Sequence, residues 1–149
     1  YTVSYLGGPM EKQKRNINFK MITSRLKDVR YQGLEGAKGN FNVKMDDLVE
    51  PTHMHDNGFT LLFTRHIHLE PEGMFDMTIS FEIKAHFDEE ARNFFIDKRN
   101  QLEPFIEKVK DSLVRRQNVG NQMSLIVAQL TQFQGMNPII IPPYPKPKA

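Results

Sequence analysis

The stretch FTLLFTRHIHLEPEGMFDMTISFEIKAHF, Phe59 to Phe87, decides the fold. In its first half Phe59, Leu61, Phe63, Arg65, Ile67 and Leu69 take every second place, and Thr60, Leu62, Thr64, His66 and His68 fill the gaps. In its second half Phe75, Met77, Ile79, Phe81, Ile83 and Ala85 alternate in the same way with Asp76, Thr78, Ser80, Glu82, Lys84 and His86. Side chains on a strand point to opposite faces in turn, so both halves predict half-buried strands. Pro71-Glu72-Gly73 between them is a tight turn, and so short a connection makes the pair an antiparallel hairpin.

Upstream, Phe41, Val43 and Met45 alternate with Asn42 and Lys44, a strand expected to break at Glu50-Pro51 and the polar run to Asn57-Gly58. Ile17, Phe19 and Met21 alternate with Asn18 and Lys20, and the pattern resumes out of phase at Leu26, Val29 and Tyr31. That change of phase predicts a bulge or bend near Arg25–Asp28. The three glycines of GLEGAKGN mark a turn or loose loop.

Downstream the period lengthens. Asp88-Glu89-Glu90 suits a helix start, and Phe94-Phe95-Ile96 fits either the end of a short helix or a loop docked on the core. Asn100-x-x-Glu103 resembles a capping box with Pro104 in the first turn. Leu102, Phe105, Ile106, Val109 and Leu113 then follow at helical spacing. Asn118-Val119-Gly120 interrupts or kinks the run before a second helix, with Met123, Ile126, Val127, Leu130 and Phe133 as its apolar stripe.

That second helix is unusual in charge. From Gln117 to Pro145 there is no Lys, Arg, Asp, Glu or His, in a chain where charged residues make up 26%. Its polar positions are Asn121, Gln122, Ser124, Gln129, Thr131 and Gln132. Such a helix suits burial on two sides, because no ion must be desolvated; a plain core helix with a neutral outer face is the alternative. Four strands followed by helices predict an α+β fold, a four-stranded antiparallel sheet with helices packed on one face. At 149 residues the chain reads as a single domain, 1–149, with a tail from 144 to 149. Gly7-Gly8-Pro9 ahead of Met10 reads as sequence added before a natural start, with residues 1–15 as a flexible arm.

The composition excludes several classes. There is no cysteine, hence no disulfide and no thiolate metal site. No apolar run approaches the ~20 residues that cross a bilayer, and no signal peptide is evident, so a cytoplasmic location is expected. Net charge is only +2. The Lys- and Arg-rich segment from Lys12 to Arg30 would suit nucleic acid, but it is read first as a solvated arm and edge strand.

Chemistry-bearing patterns are sparse. His66 and His68 share a strand face and could jointly hold zinc or nickel, but a site needs three or four ligands. His53 and His55 lie in a loop region. These histidines are read as polar-face residues, and no metal is expected. Asp76 and Glu82 share a strand face and could pair as catalytic carboxylates, but carboxylates alternating with Thr and Ser are read here as the polar face of a solvated strand. Neither a Gly-x-Ser-x-Gly elbow nor a phosphate-binding glycine loop occurs. Neither an enzyme nor a cofactor is therefore expected. Apolar residues are in surplus for so small a fold: Phe94, Phe95, Ile96, Met136, Ile139, Ile140, Ile141 and Tyr144. Such a surplus points to an interface or a binding groove.

The order of elements resembles the SecB export chaperones and their smaller relatives. Met21–Gly33, MITSRLKDVRYQG, resembles the first strand of that family; Phe59–Phe87 resembles its long third and fourth strands; Met123–Pro143 resembles its helix, glycine, apolar crossover loop and Pro-Pro. The resemblance implies a holdase that binds unfolded, extended polypeptides without ATP, in dimers that pair into tetramers. It places Phe94, Phe95, Met136, Ile139, Ile140, Ile141 and Tyr144 at the client groove. It assigns Met123, Ile126, Val127, Gln129, Leu130 and Phe133 to the oligomer interface. Asp28 and Glu82 fall at two positions where the family docks the SecA motor. At a third such position Gln32 stands where the family has Glu. The chain is slightly basic where export members are acidic, a difference that argues against motor docking. A non-chaperone module with one specific partner, and less so a nucleic-acid binder, are the alternatives.

Overall fold

The computed structural model describes residues 1–6, 15–33, 42–70 and 75–133. Five strands form one antiparallel sheet: β1 (Thr2–Tyr5), β2 (Arg15–Gly33), β3 (Asn42–His55), β4 (Gly58–Glu70) and β5 (Phe75–Phe87), in the spatial order β1-β2-β5-β4-β3. Three helices follow: α1 (Glu89–Asp97), α2 (Leu102–Arg116) and α3 (Val119–Phe133). The class is α+β, as expected, with five strands in place of four.

The central hairpin is the one predicted from alternation. β4 pairs with β5 from Gly58↔His86 to His68↔Asp76. Phe59, Leu61, Phe63, Ile67, Leu69 and their counterparts Phe75 to Phe87 are all buried beneath the helices. Each fully buried large apolar side chain contributes about 1.5–3 kcal/mol, so this face supplies most of the drive to fold. Arg65 is in phase with them and is fully buried as well.

The fifth strand comes from residues that the sequence reading set aside. β1 pairs with the start of β2, Thr2↔Asn18 to Tyr5↔Arg15. Tyr5 is buried, edge-on to Phe105 at 5.0 Å, and its hydroxyl donates to Gln101 Oε1 at 2.9 Å. Burial raises its phenol pKa. Thr2–Tyr5 is thus part of the sheet and the core, not part of an arm.

The predicted bulge in β2 lies between Leu26 and Asp28, and a second interrupts the ladder between Phe19 and Met21. β3 runs through Pro51 to His55 instead of stopping there. It can do so because it is the edge strand, where proline's missing N–H leaves no ladder bond unmade; a bulge between Pro51 and His53 absorbs the irregularity. Asp56-Asn57 then turns the chain into β4. Gly58 is required at that point: its φ is +155°, and a Cβ there would lie 2.0 Å from the Ala85 carbonyl oxygen.

Asp88 caps α1, its carboxylate accepting from the Ala91 N–H at 2.8 Å. Phe94, Phe95 and Ile96 belong to the last turns of that helix. The Asn100–Glu103 capping box does not form. Asn100 lies inside a one-turn 3₁₀ helix, Arg99–Gln101, that runs straight into α2, and no side chain caps α2. Asn118, with φ +57°, ends the run after α2; asparagine is among the few residues that tolerate this left-handed conformation. Phe95 stacks on Phe87 (4.8 Å between ring centroids) and packs on Phe105 (5.1 Å), so one aromatic cluster pins α1 and α2 to the same end of the sheet. In α3, Val119, Met123, Val127 and Thr131 recur every fourth residue and all are fully buried. The Thr131 hydroxyl is satisfied by the Val127 carbonyl at 2.8 Å. Among the described residues no helix is long and apolar enough to cross a membrane.

Candidate functional site

Three surfaces carry the residues singled out from sequence: the outer side of α3, the helix-poor margins of the sheet, and the polar sheet face.

On α3 the expected interface stripe divides. Met123 and Val127 are fully buried in the chain's own core, so they are not surface that a partner could meet. Ile126 and Leu130 are half-buried, and Gln129 is exposed. The side chain of Phe133 lies outside the described residues. Among the described side chains of the helix the most exposed apolar one is Leu125, at 65%, which sits off the apolar stripe. The signal for it was the helix's neutrality, which leaves an exposed leucine without charged neighbours on its own helix.

At the groove residues the outcome is similar. Phe95 was expected at the client surface and is instead at the centre of the aromatic cluster, fully buried. Phe94 is half-buried on the wall of a cleft of about 510 Å³ between the start of β2 and α1. Two cations cover its ring: the Arg15 guanidinium at 4.9 Å and the Lys98 ammonium at 5.8 Å from the centroid. Met136, Ile139, Ile140, Ile141 and Tyr144 lie outside the described residues.

The sheet margins expose apolar side chains that sequence reasoning did not mark. On the helix side Leu26 of β2 is 47% exposed, and Val43 and Met54 of β3 are open as well. On the opposite side Met21 and Leu48 are exposed, Leu48 at 55%. Beyond this, β3 is a terminal strand of the sheet. Among the described residues nothing pairs with its outer edge from Asn42 to His55. On the other side of the sheet β1 covers only the first residues of β2.

The polar face is a grid of registered rows. Arg25, Glu82, Leu62 and Glu50 lie across β2, β5, β4 and β3 in one row, and Arg30, Thr78, His66 and Asp46 in another. Glu82 is the most buried acid of this face. Arg25 Nε donates to its Oε1 at 2.9 Å, and Lys27 Nζ to its Oε2 at 3.3 Å, the bulge at Lys27 bringing two basic residues to one carboxylate. The Arg25 hydrogen bond holds the Glu82 carboxyl below the usual range; burial works in the opposite direction, and Lys27 adds to the lowering. Asp28 is ion-paired with Arg30 at 2.9 Å. Both acids placed at motor-docking positions are therefore on the open face, and both are neutralised by neighbours within the chain. Their basic partners on β2 were visible in the sequence, but the bulge that aims them was not resolved to a residue there.

The fold and site thus define a class: an α+β protein whose curved antiparallel sheet is backed by helices on one face, with an open edge and a polar opposite face. No protein-family model matches the chain, and no curated protein matches it. Among solved structures, a SecB-like chaperone of Mycobacterium tuberculosis, in complex with a ChAD peptide from the HigA1 antitoxin, is structurally similar. It is 10% identical, with a TM-score of 0.45 over 85% of this chain and 89% of that one.

Proposed function

We propose that this chain is an ATP-independent, SecB-like holdase that takes unfolded or extended polypeptide segments. The observation that carries the reading is the outer edge of β3, unpaired among the described residues and flanked by exposed Val43, Leu48 and Met54. An extended segment added to a sheet edge gains main-chain hydrogen bonds whatever its sequence. Apolar side chains beside the edge add affinity without demanding one partner, which is the selectivity a holdase needs. Exposed strand edges are normally blunted. Here Pro51 and its bulge interrupt one end only, and the run from Asn42 to Glu50 stays regular.

The outer side of α3, with Leu125, Ile126, Gln129 and Leu130, is proposed as the surface through which copies assemble, as a dimer of dimers. An exposed leucine on an uncharged helix supports this, because burying it desolvates no ion. Light scattering should then give several times the 17.4 kDa chain mass, reduced by Leu125→Glu. A monomer at micromolar concentration would remove the assembly proposal.

The function itself is tested by ATP-free aggregation assays on several unrelated unfolded proteins. A holdase slows the aggregation of most of them, and Leu48→Asp with Met54→Asp weakens the effect without lowering the melting temperature. Protection of one protein only would mark a single-partner module. Binding of nucleic acid that falls steeply with salt, with no effect on aggregation, would mark the basic segment as the working surface.

A further inference from the structure

In the sequence His66 and His68 supply only two ligands, too few for a metal site. The fold adds a third. Asp46 of β3 is paired in register with His66 of β4, so its carboxylate stands beside the two imidazoles on the polar face. One donor atom from each of Asp46, His66 and His68 lies within 4.8 Å of the other two.

We propose that Asp46, His66 and His68 form a binding site for a late first-row divalent cation, of which zinc and nickel are the representatives to test. The site stands independently of the holdase reading. Three observations support it. First, the donor set is right: two imidazoles and a carboxylate suit zinc, nickel and copper, and three protein ligands leave a fourth position for water. Second, the Nδ1 atom of His68 is buried and has no hydrogen-bond partner. It lies 4.0 Å from a carboxylate oxygen of Asp46, beyond hydrogen-bond reach. A tetrahedral metal with bonds of about 2.0–2.1 Å holds its donors about 3.3 Å apart, so Asp46 need close by less than an ångström on that side. Its side chain is three-quarters exposed and free to turn. Third, an outer carboxylate is already in place. His66 Nε2 donates to Asp76, at 2.9 and 3.0 Å from its two oxygens. With that nitrogen carrying the proton, the lone pair left for a metal is on Nδ1. Ligating histidines are commonly oriented by a carboxylate in this way. The two rings are stacked, with centroids 4.7 Å apart, and so present their edges side by side. Lys44 lies opposite His68 in register. It is a positive neighbour for the cation, set against the two carboxylates of Asp46 and Asp76.

The test is isothermal titration of the tag-free chain with zinc and nickel salts. One equivalent should bind per chain. His66→Gln or His68→Gln should abolish binding, and Asp76→Asn should weaken it by about 10- to 100-fold, the usual effect of losing an outer partner. His53→Gln and His55→Gln should leave it unchanged. Imidazole nitrogen NMR of the wild type gives an answer that does not depend on any variant folding: zinc should shift the ring nitrogens of His66 and His68 and not those of His53, His55 or His86. Absence of binding below millimolar metal overturns the proposal. So does binding that survives loss of both His66 and His68, or zinc-induced shifts confined to His53 and His55.

Discussion

Replacing Asp47 with alanine tests the least expected feature of the core. Arg65 is fully buried on the helix side of the sheet, and Asp47 on the neighbouring strand is nearly so. Their contact is bidentate, Nε to Oδ1 at 2.7 Å and Nη2 to Oδ2 at 2.9 Å, and the guanidinium also lies 5.5 Å from the Phe63 ring centroid. Removing one partner of a buried pair strands the other charge and costs about 3–5 kcal/mol. At about 2.1 cal/mol/K of unfolding entropy per residue, the 149 residues give about 0.3 kcal/mol/K. Asp47→Ala should therefore lower the melting temperature by about 10–16 °C. Urea unfolding should show the loss as a shifted midpoint with little change of slope. The paired change Asp47→Leu with Arg65→Met should recover most of it, since an apolar replacement of a buried pair is often neutral or stabilising by about 1–4 kcal/mol. The cycle thus separates a stranded charge from lost packing. A cost below about 1 kcal/mol for Asp47→Ala, the range of exposed pairs, would refute the reasoning. It would mean that water reaches Arg65 and that the helices do not seal this part of the sheet.

Three further outcomes follow from individual geometries. Glu82 has a carboxyl pKa below its ordinary 4.5, so its contribution is complete above that value and fades as the pH falls through the lower, folded value. The stability gap between wild type and Glu82→Gln should accordingly be present at neutral pH and shrink below about 4.5; a gap that does not change with acidification would show that Arg25 and Lys27 do not engage it. Gly58→Ala should destabilise by well over ~1 kcal/mol in chemical denaturation, because a positive φ and the Ala85 carbonyl both exclude a side chain; a neutral result would contradict the register of β4 on β5. Asp88→Ala should cost about 1 kcal/mol by loss of the α1 cap, while Asp88→Asn should retain most of it; equal losses in both would show that charge, and not the hydrogen bond to Ala91, matters.

The parts of this fold that could be read ahead of the structure are those in which one periodicity acts alone. Phe59–Leu69 and Phe75–Phe87 each alternate without interruption, and their two faces emerged as predicted, Arg65 included. The phase slip in β2 announced a bulge or bend near Arg25–Asp28, because a single extra residue moves every later side chain to the other face; the structure places the bulge between Leu26 and Asp28. Where local and tertiary terms compete, the local signal misled. Pro51 read as a strand terminator and is accommodated because β3 is an edge, a fact about topology. Asn100 had the spacing of a cap, yet the chain keeps turning through it as a 3₁₀ helix. Thr2–Tyr5 is too short to signal a strand by itself, and its stability comes from Tyr5 reaching Phe105 and Gln101, some hundred residues away in sequence.

The candidate sites divide by the same logic. Phe94 and Phe95 are adjacent and alike in composition, but a helix sends neighbours about 100° apart. One is therefore locked between Phe87 and Phe105 while the other lines a cleft under Arg15 and Lys98. No count of apolar residues separates them; only the direction from which the sheet approaches α1 does. Asp46 and Asp47 show the same on a strand. Asp47 shares the phase of Val43, Met45 and Val49, and for that reason is carried into the core to meet Arg65. Asp46 has the opposite phase and is delivered to the histidines of the polar face. Two consecutive aspartates thus serve a buried ion pair and a surface cluster, a division set by the pleat of β3 and by its register on β4. A one-residue slip that set Leu48 opposite Arg65 would put Asp46 opposite buried Ile67 and take the carboxylate from Arg65, so the buried pair opposes a slip in that direction; a slip the other way is opposed by Met45 and Val49, which would leave the core face.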